Sequence, residues 1–352
     1  MEPARSRDMR ASDLQRRTRA GETTVSDIKE QPEFFETPGN PAPDNLVPGF
    51  LLTSDKRRLR YAIAHVRGPS RGTVVLLQGR NEAIEKYFET IGDLNARGFS
   101  VVTFDWRGQG GSERLLRRSR LGHVRHFGQY LTDLECVMQE VVLPDCHPPY
   151  HLLAHSMGGL VALHASSRLS NTIERMVLLA PLIGFAASFP SVAMLARLAN
   201  AARWLGFASL PVRRSIPGKM PHAADNPLTS DPRRYARNRR LAEEAPELFL
   251  GSPSVAWLAA VTRAMRRFER SAEIAALSVP TLFVVAGADR VVSPAAAEKL
   301  AYRMRCGSSL TIPLARHELL QEADPFREQA LEIFDAYVGN ASSADQPSLA
   351  AE

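Results

Sequence analysis

The stretch Tyr150-His151-Leu152-Leu153-Ala154-His155-Ser156-Met157-Gly158-Gly159-Leu160 decides how the rest of this chain is read. Tyr150 to Ala154 has the length and apolarity of a short buried strand. Gly158 to Ala165 continues as a helix. Between them Ser156 stands on a tight turn, with Ala154 two residues before it and Gly158 two after. Strand, serine-bearing turn and helix together make the geometry of a nucleophile elbow. The small residues have a steric reason, because larger side chains there would collide with the strand and helix that cross at the turn. A serine that merely caps a helix gives the same local pattern. The rest of the chain has to discriminate.

Working outward, buried β-type runs recur at Thr73–Leu77, Ser100–Phe104, 176–180, Thr281–Ala286 and 309–313. Helical patterns alternate with them at 83–97, 129–142, 293–305 and 325–337. Ile84, Tyr87, Phe88, Ile91 and Leu94 share one face of the first, and Gly98 ends it. Phe50–Thr53 and Leu59–Ala64 flank the polar turn Ser54-Asp55-Lys56-Arg57 and read as an opening antiparallel hairpin. Strands alternating with helices predict a mostly parallel, doubly wound α/β sheet. One piece breaks the rhythm. Residues 184–271 carry helical stretches, prolines and many arginines, and read as an inserted, mainly helical cap over the carboxyl ends of the strands, where open α/β sheets bind ligands. The expected division is a flexible or loosely docked polar arm at 1–44, a core at 45–183 and 272–338, the cap at 184–271 and a polar tail at 339–352. Within the cap, 189–207 is apolar with Arg197 and Arg203 interspersed. It reads first as a helix packed on the main domain, and second as a membrane-surface face, since Phe185, Phe189, Trp204 and Phe207 mix with arginines there.

Composition sets outer bounds. Across 352 residues, 44% hydrophobic and 23% charged residues are globular values. Cys136, Cys146 and Cys306 have no metal-like spacing, which points away from a disulfide framework or zinc site and toward a reducing, cytoplasmic setting. No secretory signal is expected from the charged N-terminus. No uncharged apolar run of about 18 residues predicts a spanning helix. The formal charge of +6 favours anionic surfaces generally. Peripheral contact with the inner membrane surface fits it better than nucleic-acid binding, which would rest on charge alone.

A serine hydroxyl needs a base, and the base an acid to orient it. In this architecture the order along the chain is Ser, acid, His, each just past a strand end. The strand ending at Ala286 runs into Gly287-Ala288-Asp289, and the next into Leu314-Ala315-Arg316-His317. Alone, Asp289 would be a turn aspartate and His317 a loop histidine. In the required order, at strand ends, they form with Ser156 a candidate catalytic triad. His155 adjoins the serine, but its side chain is expected to point away. Two backbone amides are also needed for an oxyanion. Met157, at a helix N-terminus, is one candidate. Arg80, in the Gln78-Gly79-Arg80-Asn81 turn after the first parallel strand, is the other, through its amide. Its guanidinium is expected to face solvent or pair with an acid, with an anionic substrate group as the sharper alternative.

Taken together, Gln78-Gly79-Arg80-Asn81-Glu82, the 104–112 segment FDWRGQGGS, His155-Ser156-Met157-Gly158-Gly159, Gly287-Ala288-Asp289 and His317-Glu318 resemble the α/β-hydrolase superfamily. Within it they resemble lysophospholipase L2-like proteins and monoacylglycerol lipases, often grouped with serine-aminopeptidase-like hydrolases. The resemblance covers about residues 45–338 and extends to Asn226-Pro227-Leu228-Thr229-Ser230-Asp231-Pro232. Gln78 stands where many relatives have His, and Ala154 where the commoner elbow has Gly. Neither change removes a needed amide. The Asp105 loop is expected to be structural. The resemblance implies an α/β-hydrolase fold and hydrolysis of single-chain acyl esters, lysophospholipid or monoacylglycerol, without cofactor or metal. A small-ester carboxylesterase, an amidase-type hydrolase, acyl transfer to another alcohol and a non-catalytic binding protein are the alternatives. Ser156 in the elbow argues against a dehalogenase, which would carry Asp there.

Overall fold

The computed structural model describes residues 32–116, 120–186, 191–213, 215–220, 222 and 225–339. β1 (Leu46–Leu52) and β2 (Arg58–Ala64) form the expected hairpin, and β2 pairs antiparallel with β4 (Ser100–Phe104). β3 (Thr73–Leu77), β5 (Tyr150–His155), β6 (Ile173–Leu179), β7 (Thr281–Ala286) and β8 (Gly307–Ile312) complete an eight-stranded sheet in the order β1-β2-β4-β3-β5-β6-β7-β8. From β4 to β8 every pairing is parallel. β3, β4, β5 and β7 are buried at every position, as strands covered on both faces must be. That is why they read as unbroken apolar runs rather than alternating ones.

The crossovers between parallel strands are helical. α1 (Phe88–Ala96) follows β3, α2 (Gly128–Val137) follows β4, and α3 (Met157–Leu169) follows β5. The helix expected over 83–97 is broken, with a tight 3-10 turn over Ile84–Tyr87 before α1. Its start is pinned by polar contacts rather than by helix periodicity. The Ile84 amide donates to Asp105 Oδ1 at 3.0 Å, and the Glu85 carboxylate takes both terminal nitrogens of Arg60 at 2.7 Å. Arg60 Nε also donates to Asp105 Oδ2 at 2.7 Å. This buried Arg60–Glu85–Asp105 set ties β2 to the loops after β3 and β4.

The chain between β6 and β7 carries α4 (Val192–Trp204), α5 (Pro232–Glu244) and α6 (Val255–Arg267). α6 buries Trp257, Val261 and Met265 in the main core. α4 packs mainly on α6, turning Ala196 and Ala199 inward where the small side chains allow close approach, and Val192 at its start packs against the main core. Its other side leaves Leu198, Trp204 and Leu205 exposed, with Trp204 at 91%. Phe189 lies outside the described residues. The segment as a whole touches loops at the carboxyl ends of the strands. Gly110 N donates to Leu248 O at 3.1 Å and Glu318 N to Leu228 O at 2.8 Å.

The arm expected over 1–44 divides. Residues 1–31 lie outside the described residues, as do 340–352. Residues 32–44 are docked. Phe34 packs edge-on against Phe88 with ring centroids 5.4 Å apart, and Asn40 Nδ2 donates to Glu85 O at 2.9 Å. After β7, α7 (Pro294–Arg303) and, after β8, α8 (Asp324–Gly339) close the fold. No helix among the described residues is long and apolar enough to cross a membrane.

Candidate active site

Ser156 sits between β5 and α3 with φ 50° and ψ −112°. A left-handed φ is costly for a side-chain-bearing residue and persists only where the surroundings over-determine it. Here they do. Ser156 N donates to Leu179 O at 3.0 Å, and its carbonyl accepts from Leu182 N at 3.0 Å, so both sides of the turn are held by β6 and its loop. A Cβ on Gly158 would lie 2.6 Å from Leu77 O, and one on Gly159 would lie 2.8 Å from Pro181 Cβ. The two glycines let α3 press against the ends of β3 and β6.

His317, past the end of β8, and Asp289, past the end of β7, are brought to this turn. His317 Nε2 lies 3.1 Å from Ser156 Oγ, and His317 Nδ1 lies 2.7 Å from Asp289 Oδ2. An ionised carboxylate can only accept, so Nδ1 carries the proton toward Asp289 and Nε2 is left to accept from the hydroxyl. Asp289 Oδ1 is occupied by the amides of Val291 (2.7 Å) and Val292 (3.0 Å). Burial pushes the Asp289 carboxyl up. The hydrogen bond and charge of His317 and the two amides more than offset this and hold it below its ordinary value. Ser156, His317 and the Asp289 side chain are all nearly enclosed.

The two oxyanion candidates lie on the turns that flank the serine, Met157 at the start of α3 and Arg80 in the loop after β3. Met157 opens α3, where the helix dipole favours an anion. The β3 loop abuts α3 through the Gly158 contact. Within that loop Gly79 N is already taken by Glu82 Oε2, so Arg80 N is the next amide along. Glu82 is the hub of a buried network that the sequence did not suggest. It accepts from Tyr87 Oη at 2.6 Å and from Lys86 Nζ at 2.7 Å, and Lys86 also pairs with Glu318 at 2.7 Å. His155 belongs to the same network. Its Nδ1 is 3.4 Å from Glu82 Oε2, its Nε2 is 3.3 Å from His317 O, and its ring packs on that of His317 at 4.8 Å. Burial lowers the basicity of His155, but the neighbouring Glu82 carboxylate raises it further, so its pKa is net raised. Burial also opposes the charge on Glu82, but Lys86 and His155 hold that carboxyl well below its ordinary range.

A second staple was also missed in the sequence. Glu322 Oε1 accepts from Arg316 N at 2.7 Å and its Oε2 from Ser230 N at 2.8 Å, while Arg316 Nη1 donates to Asn226 O and Thr229 O. The Asn226–Asp231 segment thus clasps the loop that carries His317. Only the resemblance had singled that segment out, and its spacing from His317 along the chain gives no signal of contact. Asp105 is structural as expected, accepting from Gly111 N at 2.8 Å as well as from Arg60. Of the two settings expected for the Arg80 side chain, pairing with an acid is not found among the described residues; the side chain is half-buried and bonds to a backbone carbonyl. No group of three or more His, Cys, Asp or Glu among those residues is arranged to hold a metal ion.

This sheet order, with a serine on a strained turn after β5 and an Asp–His pair past β7 and β8, defines the α/β-hydrolase class. Residues 68–324 match the family model described as serine aminopeptidase, S33, and the chain belongs to that family. It is 33% identical over 271 residues to lysophospholipase L2 of Escherichia coli (strain K12), covering 73% of this chain and 77% of that one. The probable lysophospholipase L2 of Haemophilus influenzae is 29% identical over 289 residues, covering 81% and 90%. Among solved structures, a soluble variant of monoglyceride lipase from Saccharomyces cerevisiae superposes with a TM-score of 0.65 at 20% identity, covering 84% of this chain and 96% of that one. The chain is a carboxylic ester hydrolase of the lysophospholipase L2-like group.

Proposed function

We propose that this enzyme hydrolyses the ester of a single-chain lipid, a lysophospholipid or monoacylglycerol, through a Ser156–His317–Asp289 acyl-enzyme mechanism. The observation that carries the reading is the continuous relay from Ser156 Oγ to His317 Nε2 and from His317 Nδ1 to Asp289 Oδ2. His317 Nε2 takes the hydroxyl proton as Ser156 Oγ attacks the ester carbonyl. The amides of Met157 and Arg80 stabilise the resulting oxyanion. Asp289 holds the imidazole in its productive tautomer and stabilises its charged form. The tetrahedral species collapses, the C–O bond to the alcohol breaks, and His317 gives its proton to the leaving alkoxide. Water then attacks the acyl-serine, losing a proton to His317, and His317 returns a proton to Ser156 Oγ as the fatty acid leaves.

The lipid reading is supported by the relatives and by the surface of the helical insertion. Leu198, Trp204, Leu205 and Phe207 lie exposed beside Arg197 and Arg203, a mixture suited to the headgroup region of an anionic membrane. The deciding test is a panel of lysophospholipids, monoacylglycerols and short chromogenic esters read for released acid, with Ser156→Ala as the control. Fluorophosphonate labelling at Ser156 and nowhere else is the expected result. Turnover retained in the Ser156→Ala protein, or labelling of a different serine, overturns the assignment. Sedimentation with anionic liposomes at low and high salt tests surface contact, and no binding at either ends that part of the reading.

A further inference from the structure

The Arg80 side chain leaves the strand-end loop on the side of the helical insertion. Its Nη2 donates to Gly251 O at 2.6 Å, and its guanidinium lies over the Trp257 ring at 5.3 Å from the centroid. Gly122 lets the backbone pass close by, since a Cβ there would stand 2.9 Å from Nη2. Nε is enclosed and has no hydrogen-bond partner. Another cation, Arg213, also acts on the guanidinium; the Arg213 amide donates to Ser252 Oγ at 3.1 Å, and its side chain is exposed. Among the described residues neither guanidinium has a carboxylate partner.

Arg114 and Arg316 likewise bond to backbone carbonyls, but neither has an enclosed nitrogen left without a partner among the described residues. Arg80 is half-buried with its Nε enclosed, whereas the fully buried Arg60 and Arg107 are matched with acids, Arg60 with Glu85 and Asp105, and Arg107 with Asp133 and Asp55. Taking a cation out of water is costly unless an anion and hydrogen bonds replace the hydration. Loss of hydration pushes Arg80 down to about 10; Tyr130 opposes this, and Arg213 adds a smaller repulsion. A ligand carrying negative oxygens would supply what is missing, and guanidinium is well shaped to receive them. The position matters as much as the charge. The same residue offers its backbone amide to the reacting carbonyl oxygen, so an anion held by its side chain sits one extended side chain from the scissile ester. In a lysophospholipid the phosphate is separated from the acyl ester by the glycerol backbone alone.

We propose that Arg80, with Arg213 at the rim, binds the phosphate of the substrate, so that this site takes lysophospholipids in preference to uncharged monoacylglycerols. The inference rests on the ester-hydrolase reading above and adds a chemical reason for choosing between its two lipid classes. Arg80 and Arg213 act on selectivity, so the informative quantity is the ratio of kcat/KM for a lysophospholipid to that for the monoacylglycerol with the same acyl chain.

The experiment uses the full chain and measures that ratio for wild type, Arg80→Gln, Arg80→Lys and Arg213→Ala. The ratio is expected to fall about tenfold in Arg80→Gln, to recover part of the loss in Arg80→Lys, which keeps charge without the planar fork, and to fall about threefold in Arg213→Ala. Parallel losses on both lipids, leaving the ratio within twofold of wild type, overturn the proposal and make Arg80 a structural part of the loop. A second arm reads binding without turnover, as protection of Ser156 from a fluorophosphonate by non-hydrolysable ether analogues. In wild type the ether lysophospholipid is expected to protect at about tenfold lower concentration than the matching alkylglycerol, and equal protection overturns the proposal. Inorganic phosphate protecting as well as the ether lysophospholipid would mark a free-anion site and also overturns it. If wild type hydrolyses neither lipid, the lipid-ester reading fails on its own, while the protection arm still decides the phosphate.

Discussion

The floor and the roof of the candidate site are built by different rules. On the floor, at the strand ends, charge meets charge. Asp289 is matched by His317 and two amides, Glu82 by Lys86, Tyr87 and His155, and Glu322 by the backbone of two loops. On the roof, the insertion between β6 and β7 leaves Trp204 and Leu205 open and Arg213 without an acid partner among the described residues. The difference teaches where each task is placed. Positioning a proton relay needs groups that cannot move, and a fully satisfied buried network supplies that rigidity. Accepting a lipid needs surface and charge that are still unspent. Arg80 stands at the join, its amide on the floor and its guanidinium under the roof.

The comparison breaks most sharply at the serine. Ser156→Ala is expected to lower kcat/KM by about 10^4-fold or more with the melting temperature nearly unchanged, measured by acid release and thermal unfolding. Asp289→Asn should cost about 10^3- to 10^4-fold in kcat, because the amide no longer fixes the tautomer of His317. An effect smaller than tenfold would place the orienting group elsewhere.

Stability comes next, and it tests the floor. Glu82→Gln removes one partner from a buried set that includes Lys86 and His155, and should cost about 3 kcal/mol by urea unfolding near neutral pH. The sign with pH follows from the directions. The Glu82 carboxyl is held low, so its stabilisation is fully present above its unfolded value of about 4.3 and is lost as pH falls through the lower folded value. His155 is held high, so its contribution is present below about 6.5 and lost as pH rises through its raised folded value. The gap between wild type and Glu82→Gln should therefore shrink in acid, and a gap that widened there would contradict the pairing. Gly158→Ala is expected to cost about 1–3 kcal/mol, because the new methyl meets the Leu77 carbonyl, a backbone atom that cannot rotate away.

The smallest effect belongs to the roof. Trp204→Ser should change folding stability by no more than about 0.5 kcal/mol, since the ring touches little, while weakening liposome binding. A large loss of stability would mean that the exposed face of α4 is packed in solution, and would bring roof and floor closer in character.

Much of the floor was legible along the chain. Buried strands announce themselves as continuous runs, and a serine, an aspartate and a histidine just past strand ends define a short list of candidates. The networks behind them were not legible. Nothing in the spacing of Glu82 and His155, or of Asn226, Ser230 and Glu322, says that these residues meet, because their contacts depend on how loops from distant strands fold over one another. The 3-10 turn at Ile84–Tyr87 escaped for the same reason, its start being fixed by Asp105 and Arg60 rather than by local periodicity. For α4 the alanine spacing shows an inward face without saying that α6, itself seated in the main core, is what chiefly receives it.

By itself the sequence determined the class of sheet, the elbow and the order of the candidate triad, since each follows from local sterics and from period-specific burial of apolar residues. The tertiary structure alone decided which polar groups are satisfied. Electrostatic pairing depends on distance in space, and charges far apart in sequence become partners, or fail to, only when the loops are in place. That is how Ser156 is joined to His317 and Asp289, and how Arg80, an ordinary arginine in the sequence, comes to lie against the insertion with no acid among the described residues paired to it.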